Sequence, residues 1–246
     1  MDSREASLHL ATALAASARA SRLLMGGGES REAVTSLGHD IKIKGDALAE
    51  KVLLEYLMER SPFPVLSEER GEVDREGGET CKWIVDPIDG SLNFNRGIPL
   101  CCISISLWRG NEPILGVVED FNRGEIFSGI VGQGARLNGR DIRVSGVDKR
   151  SAAILCTGFP VYTDFSQEPL LRFLSQVQEY KKVRLLGSAA LSLAYVAAGR
   201  ADAYMENNIM LWDVAAGAAL VLAAGGKAEW EARDKGLWFK ADNGLI

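Results

Sequence analysis

The stretch WIVDPIDGSLNF, residues 83–94, constrains this chain more than any other. Its apolar run, Trp83-Ile84-Val85, reads as a buried strand and ends in two aspartates three apart, Asp86 and Asp89. Pro87 fixes its own φ and pushes Asp86 into extended backbone. Gly90 permits a turn that other residues resist. Two carboxylates held this close repel and shift each other's pKa unless a cation lies between them. Hard divalent cations such as Mg²⁺ take carboxylate, carbonyl and water oxygens. The bland alternative is a turn carrying two solvated aspartates.

The residues that follow add a second signal. Gly90-Ser91-Leu92-Asn93 exposes free N–H groups at a helix start, where a phosphate binds readily. A metal cluster beside such an end points to metal-assisted phosphoryl hydrolysis. Other acids fall at element ends. Glu68-Glu69 follow Val65-Leu66-Ser67, Asp213 opens the helical stretch Trp212-Asp213-Val214, and Asp46 opens another. Taken alone, Asp46 and Asp213 read as helix caps and Glu68-Glu69 as solvated surface.

Composition sharpens the question of what the site receives. A net charge of -5 argues against a nucleic acid polymer, whose phosphates need clustered Lys and Arg. An anionic substrate would then need some other source of positive charge, and Mg²⁺ supplies one. The only histidines, His9 and His39, are too few for a His-based zinc site. Cys81, Cys101, Cys102 and Cys156 form no C-x-x-C pair and read as buried, reduced thiols of a cytoplasmic protein. The charged N-terminus does not read as a signal peptide, and the apolar stretch 214–226 is too short to span a bilayer, so no membrane partner is expected.

Periodicity gives helices over 4–25, stopped by Gly26-Gly27-Gly28, and over 46–60. Residues 29–45 read as irregular and 71–80 as a solvated turn or hairpin. Strands are expected at 64–67, 82–85, 100–108, 113–120 and 125–131. Beyond 150 the pattern alternates: strand 152–157, helix 167–179, strand 182–185, helix 189–198, strand 201–205, helix 213–223 and strand 227–230. The reading is an N-terminal α+β part, 1–147, carrying the acidic motif, and a C-terminal α/β part, 148–246, completing the site.

These motifs carry a resemblance. Ser67-Glu68-Glu69, the run Trp83 to Phe94, and Trp212-Asp213-Val214-Ala215-Ala216-Gly217 leading to Ala224-Gly225-Gly226 occur in the order seen in the inositol monophosphatase family. Asp46 with Ala49-Glu50, Gly134 to Gly139, and Gly187-Ser188-Ala189-Ala190 match as well, so the resemblance covers nearly the whole chain. That superfamily of Mg²⁺-dependent, lithium-sensitive phosphatases includes fructose-1,6-bisphosphatases and 3′-nucleotidases. It implies a layered αβαβα sandwich, usually a homodimer, that releases phosphate from a sugar or polyol phosphate by direct attack of a metal-activated water. Inositol 1-phosphate is the first choice of substrate, fructose 1,6-bisphosphate the second and adenosine 3′,5′-bisphosphate the third. A non-catalytic relative that binds metal and phosphate is the reading from a different class.

The resemblance also implies roles. Glu68, Asp86 and the Ile88 carbonyl would hold one Mg²⁺; Asp86, Asp89 and Asp213 a second; Glu68 would help hold a third, with Glu69 behind it. Mn²⁺ would substitute, while Ca²⁺ and Li⁺ would inhibit. Asp46, Glu68 and Ser91 would serve catalysis by holding the attacking water, and the Gly90 and Ser91 N–H groups would receive the phosphate. Asp89, Gly187, Ala189 and Glu206 would contact the polyol. The chain departs from the pattern at Ile43, where many members have Thr, with Lys42 and Lys44 on either side.

Overall fold

The computed structural model describes residues 1–26, 28–37, 40–74 and 80–246. The chain begins with α1 (Ser3–Met25), a 3₁₀ turn (Gly28–Arg31), the strands β1 (Ala33–Leu37) and β2 (Asp40–Ile43), and α2 (Lys44–Arg60). Then come β3 (Val65–Ser67), β4 (Gly71–Val73), β5 (Cys81–Asp89) and the short α3 (Ser91–Arg96). A meander follows: β6 (Cys102–Arg109), β7 (Glu112–Asp120), β8 (Glu125–Ile130), β9 (Gly134–Leu137) and β10 (Arg140–Ile142). The remainder is β11 (Ile154–Thr157), α4 (Gln167–Val177), β12 (Lys182–Arg184), α5 (Ala189–Ala197), β13 (Ala203–Ile209), α6 (Leu211–Ala223), β14 (Lys227–Arg233) and β15 (Gly236–Asp242).

Two sheets organise these elements. The larger has the order β10-β9-β8-β7-β6-β5-β3-β4 and is antiparallel except for β3 beside β5. The smaller has the order β12-β11-β13-β15-β14, with β11 parallel to both neighbours. α1 and α2 pack on one face of the larger sheet, and α5 and α6 lie between the sheets. α4 covers the outer face of the smaller sheet, its Val177 packing near Leu155 and Ala203. The result is the αβαβα sandwich expected. Central strand β6 is buried on both sides over its first seven residues, as a sheet covered by helices on two faces requires.

The middle layer works because α6 is made of small residues. Val214 to Val221 are all buried, so the helix is apolar all round. A Cβ on Gly116 of β7 would lie 2.3 Å from the Ala216 carbonyl oxygen, and one on Gly217 would lie 2.4 Å from Leu193 Cβ of α5. Glycine at both places lets helix, helix and sheet approach closely. α6 ends in the paired bonds of a Schellman cap, from Gly225 N–H to Leu222 and from Gly226 N–H to Val221, with Gly225 at φ 90°. The Gly-Gly pair is therefore a helix cap.

Several boundaries differ from expectation. Within the stretch 29–45 read as irregular, residues 33–37 and 40–43 form the antiparallel pair β1–β2. β4 at 71–73 extends the larger sheet, while residues 75–79 of the expected turn lie outside the described residues, as does Gly27 of the glycine stop. β9, β10 and β15 have no counterpart in the periodicity reading, because short or half-exposed strands alternate too weakly. Asp46 and Asp213 are the third residues of their helices, not the first. Trp83 is fully buried and donates to Ser61 Oγ at 2.7 Å, which anchors it in the core. Trp212 is only partly buried and lines the main cavity instead.

Candidate metal centre

The acidic motif sits where the two sheets face each other across α6. β5 carries Asp86 and Asp89, and its pairing with β6 shifts register between them. Pro87 falls inside that irregularity, where the ladder has no use for an N–H. Asp86 Oδ1 accepts from Ile88 N–H at 3.0 Å, which closes a tight local turn. Gly90 then adopts φ 92°, and a Cβ there would meet the Leu100 carbonyl oxygen at 2.9 Å. Only glycine satisfies both conditions, so the turn into α3 depends on it.

Asp86, Asp89 and Asp213 converge: one ligand oxygen from each lies within 4.8 Å of the others. Glu68, which follows β3, and Ile88 line the same cavity. Each acid has a fixed partner. Asp89 Oδ2 accepts from Ser188 Oγ at 2.5 Å and Ala190 N–H at 2.7 Å, while Oδ1 has only a 3.3 Å contact to Ala189 N–H and keeps capacity for a ligand. Asp213 Oδ2 accepts from Met210 N–H at 3.1 Å. Asp46 Oδ2 accepts from Ile43 N–H at 2.9 Å, and its Oδ1 faces Ser91 Oγ at 3.0 Å. Ser91 Oγ also lies 2.8 Å from the Ile88 carbonyl. A hydroxyl has one proton, so it donates to one of these at a time.

Removal from water raises every one of these acids. Burial pushes Asp46 up to about 7. Burial, then the charge of Asp46, pushes Glu68 up to about 8. Asp86 and Asp213 are driven well above the usual carboxylate range, by burial first and then by neighbouring carboxylates. Asp89 is raised by burial, opposed by the Ser188 and Ala190 donors. Buried carboxylates held close together, all offering hard oxygens, are a donor set that fits a divalent cation such as Mg²⁺.

The cavity measures about 430 Å³, within the range of small-molecule sites. Among the described residues, five acids line it: Glu68, Asp86, Asp89, Glu206 and Asp213. Glu206, pushed up to about 8 by burial, stands on β13 across from Gly158, where a Cβ would lie 2.6 Å from its Oε1. Gly187 and Ala189 line the same wall, although the Ala189 N–H is directed at Asp89. Glu69 turns to Lys42. Arg184 is exposed and its guanidinium meets the Val183 carbonyl.

Two structural residues escaped the sequence reading. Ser188 caps α5 and grips Asp89; the Gly-Ser-Ala-Ala pattern ahead of an apolar helix is an N-cap signal that marks it. Asn93 Nδ2 donates to the Leu100 and Leu186 carbonyls at 2.8 Å each, joining the motif to the opposite wall. Nothing local in the sequence reveals that second role.

A model of the inositol monophosphatase family matches residues 7–234. Nus factor SuhB of Xylella fastidiosa is 42% identical over 183 residues, covering 74% of this chain and 66% of that one. Inositol-1-monophosphatase of Mesorhizobium japonicum is 39% identical over 189 residues, covering 76% of this chain and 71% of that one. The crystal structure of extragenic suppressor protein suhB from Bartonella henselae superposes with a TM-score of 0.85 at 33% identity, over 96% of this chain and 93% of that one. The match runs through every motif that builds the acidic cavity, and the chain belongs to the inositol monophosphatase family.

Proposed function

We propose that the chain is a Mg²⁺-dependent phosphomonoesterase acting on a sugar or polyol phosphate, with inositol 1-phosphate the first substrate. The observation that carries this reading is the convergence of Asp86, Asp89 and Asp213 in one cavity together with Glu68. Glu68, Asp86, the Ile88 carbonyl, Asp89 and Asp213 would hold the ions. When bound, Mg²⁺ neutralises these carboxylates, makes a water more acidic and offsets charge on the leaving oxygen; Mn²⁺ substitutes, and Li⁺ inhibits.

The protein's own groups do the rest. The Gly90 and Ser91 end of α3 receives the phosphate. The Ser91 hydroxyl, held by Asp46, positions the attacking water, whose proton passes toward Asp46 as its oxygen bonds to phosphorus. The ester P–O bond breaks and the alcohol oxygen departs on the Asp89 and Asp213 side, taking a proton from solvent. With the acids committed as ligands, no covalent phosphoenzyme forms. Glu206 accepts from a substrate hydroxyl, which orients the alcohol.

A second reading has one observation in its favour: relatives named Nus factor SuhB stand beside those named inositol-1-monophosphatase. On that reading the cavity binds metal and phosphate without turnover. Phosphate release from inositol 1-phosphate, fructose 1,6-bisphosphate and adenosine 3′,5′-bisphosphate, each with Mg²⁺ and with added Li⁺, separates the readings. Release led by inositol 1-phosphate and suppressed by Li⁺ supports the proposal. Release led by fructose 1,6-bisphosphate moves the substrate, and binding with no release from any of the three supports the non-catalytic reading.

A further inference from the structure

We propose that Lys42 is a built-in cation of the acidic cavity, one that holds Glu69 away from divalent ions and so limits how many of them the site takes up. The inference rests on the metal reading above. Lys42 stands on β2, and its ammonium lies 2.7 Å from Glu69 Oε2. Among the described residues lining the cavity, it is the one with a cationic side chain, set against five acids.

Glu69 adjoins Glu68 in sequence, and the Glu68 carboxylate stands in the field of Asp46, Glu69 and Asp89 while hydrogen-bonded with Asp86. Two adjacent glutamates beside Asp46 offer the oxygens that a hard dication collects. The Lys42 ammonium occupies Glu69 Oε2 and offsets the carboxylate's charge, so Glu69 is a poorer ligand for a dication while the pair holds. The neighbouring Ile43 is buried and offers no side-chain oxygen, so this wall contributes charge instead of a ligand. Lys42 is 47% exposed and Glu69 15%, so solvent screens the pair. The effect therefore falls on the most weakly held ion, and not on the one held by Asp86, Asp89 and Asp213.

The test is a titration of the metal-free full chain with Mn²⁺, with free Mn²⁺ read by electron paramagnetic resonance. Lys42→Met should take up a further ion, or hold its weakest ion about tenfold more tightly, equivalent to about 1.4 kcal/mol. Lys42→Arg, which keeps the charge, should bind as the wild type does. In Lys42→Met/Glu69→Gln the gain should vanish, because the withheld ligand is gone. Far-ultraviolet circular dichroism melts confirm that each variant is folded. A Lys42→Met protein with wild-type stoichiometry and affinities overturns the inference, as does a gain that survives in the double variant. A wild-type chain that binds no Mn²⁺ at all overturns the metal reading itself, which is a separate result.

Discussion

Asp46 and Asp213 occupy the same place in two different helices. Each is the third residue of its helix, and each accepts the backbone N–H of the residue just before that helix, Ile43 at 2.9 Å and Met210 at 3.1 Å. From sequence, capping and ligation are alternative uses of these carboxylates. In the structure Oδ2 caps, which fixes each side chain; Asp46 Oδ1 meets Ser91 Oγ, and Asp213 joins Asp86 and Asp89 at the cavity.

That division predicts different fates for two substitutions at one position. Asp213→Asn keeps an acceptor for Met210 and removes a buried negative charge, so without metal its melting temperature should equal or exceed the wild type's. Asp213→Ala loses the cap and should be less stable than Asp213→Asn by about 1 kcal/mol. Both should lose most of the Mg²⁺-induced rise in melting temperature. Thermal melts in EDTA and in Mg²⁺ check this, and an Asn variant less stable than the Ala variant would contradict it.

The raised carboxylates make metal-free stability depend on pH. Burial lifts Asp46 from 3.8 to about 7, and Glu68 and Glu206 from 4.5 to about 8. A folded pKa above the unfolded one means the folded chain holds more protons, so stability falls as pH rises through that interval. In EDTA, the melting temperature should fall between about pH 5 and about pH 8 and then level off. Mg²⁺, which favours the ionised acids, should stabilise more at the upper end. A melting temperature in EDTA that climbs across this range would show that these groups are not held as described.

Glu206 and Gly158 should share a phenotype. With no Cβ at Gly158, the Glu206 carboxylate fills that space, and Gly158→Ala would place a methyl 2.6 Å from its Oε1. Losing or displacing the Glu206 hydrogen bond to the alcohol should lower kcat/KM for inositol 1-phosphate about tenfold to a hundredfold in both Glu206→Gln and Gly158→Ala. Hydrolysis of p-nitrophenyl phosphate, which has no polyol hydroxyls, should change much less. Equal losses on both substrates would assign these residues to the chemistry and not to the alcohol.

How much of this was legible in the sequence depends on range. Asp86, Pro87, Asp89 and Gly90 are neighbours in the chain, so local backbone rules disclose their geometry. Glu68 and Asp213 end or open periodic elements, and the motif resemblance groups them. The Asn93 clamp on Leu186 spans 93 residues and leaves no local trace. β15 escaped because much of it is only half-buried beside β13 and β14. β1 and β2 escaped because strands of five and four residues are too short for a period to declare itself. Lys42 was visible as a charge, but its pairing with Glu69 follows from the β2 register and needed the fold.

The close approach of the layers is a separate commitment. Gly116→Ala would set a methyl against the Ala216 carbonyl oxygen at 2.3 Å, backbone against backbone, where no side chain can turn away. The sheet and α6 must then separate, and the expected loss is about 1–3 kcal/mol. Urea unfolding measures it, and a neutral substitution would mean the layers have slack there.

The central claim is that these buried acids hold a catalytic divalent cation, and one assay addresses it most directly. Phosphate release from inositol 1-phosphate is followed for the wild type and for Asp86→Asn, in Mg²⁺ and in EDTA, with circular dichroism confirming the fold. The account predicts release by the wild type in Mg²⁺, none in EDTA, and a loss of at least about a thousandfold in Asp86→Asn. Turnover by Asp86→Asn near the wild-type rate, or wild-type release that persists in EDTA, would contradict it.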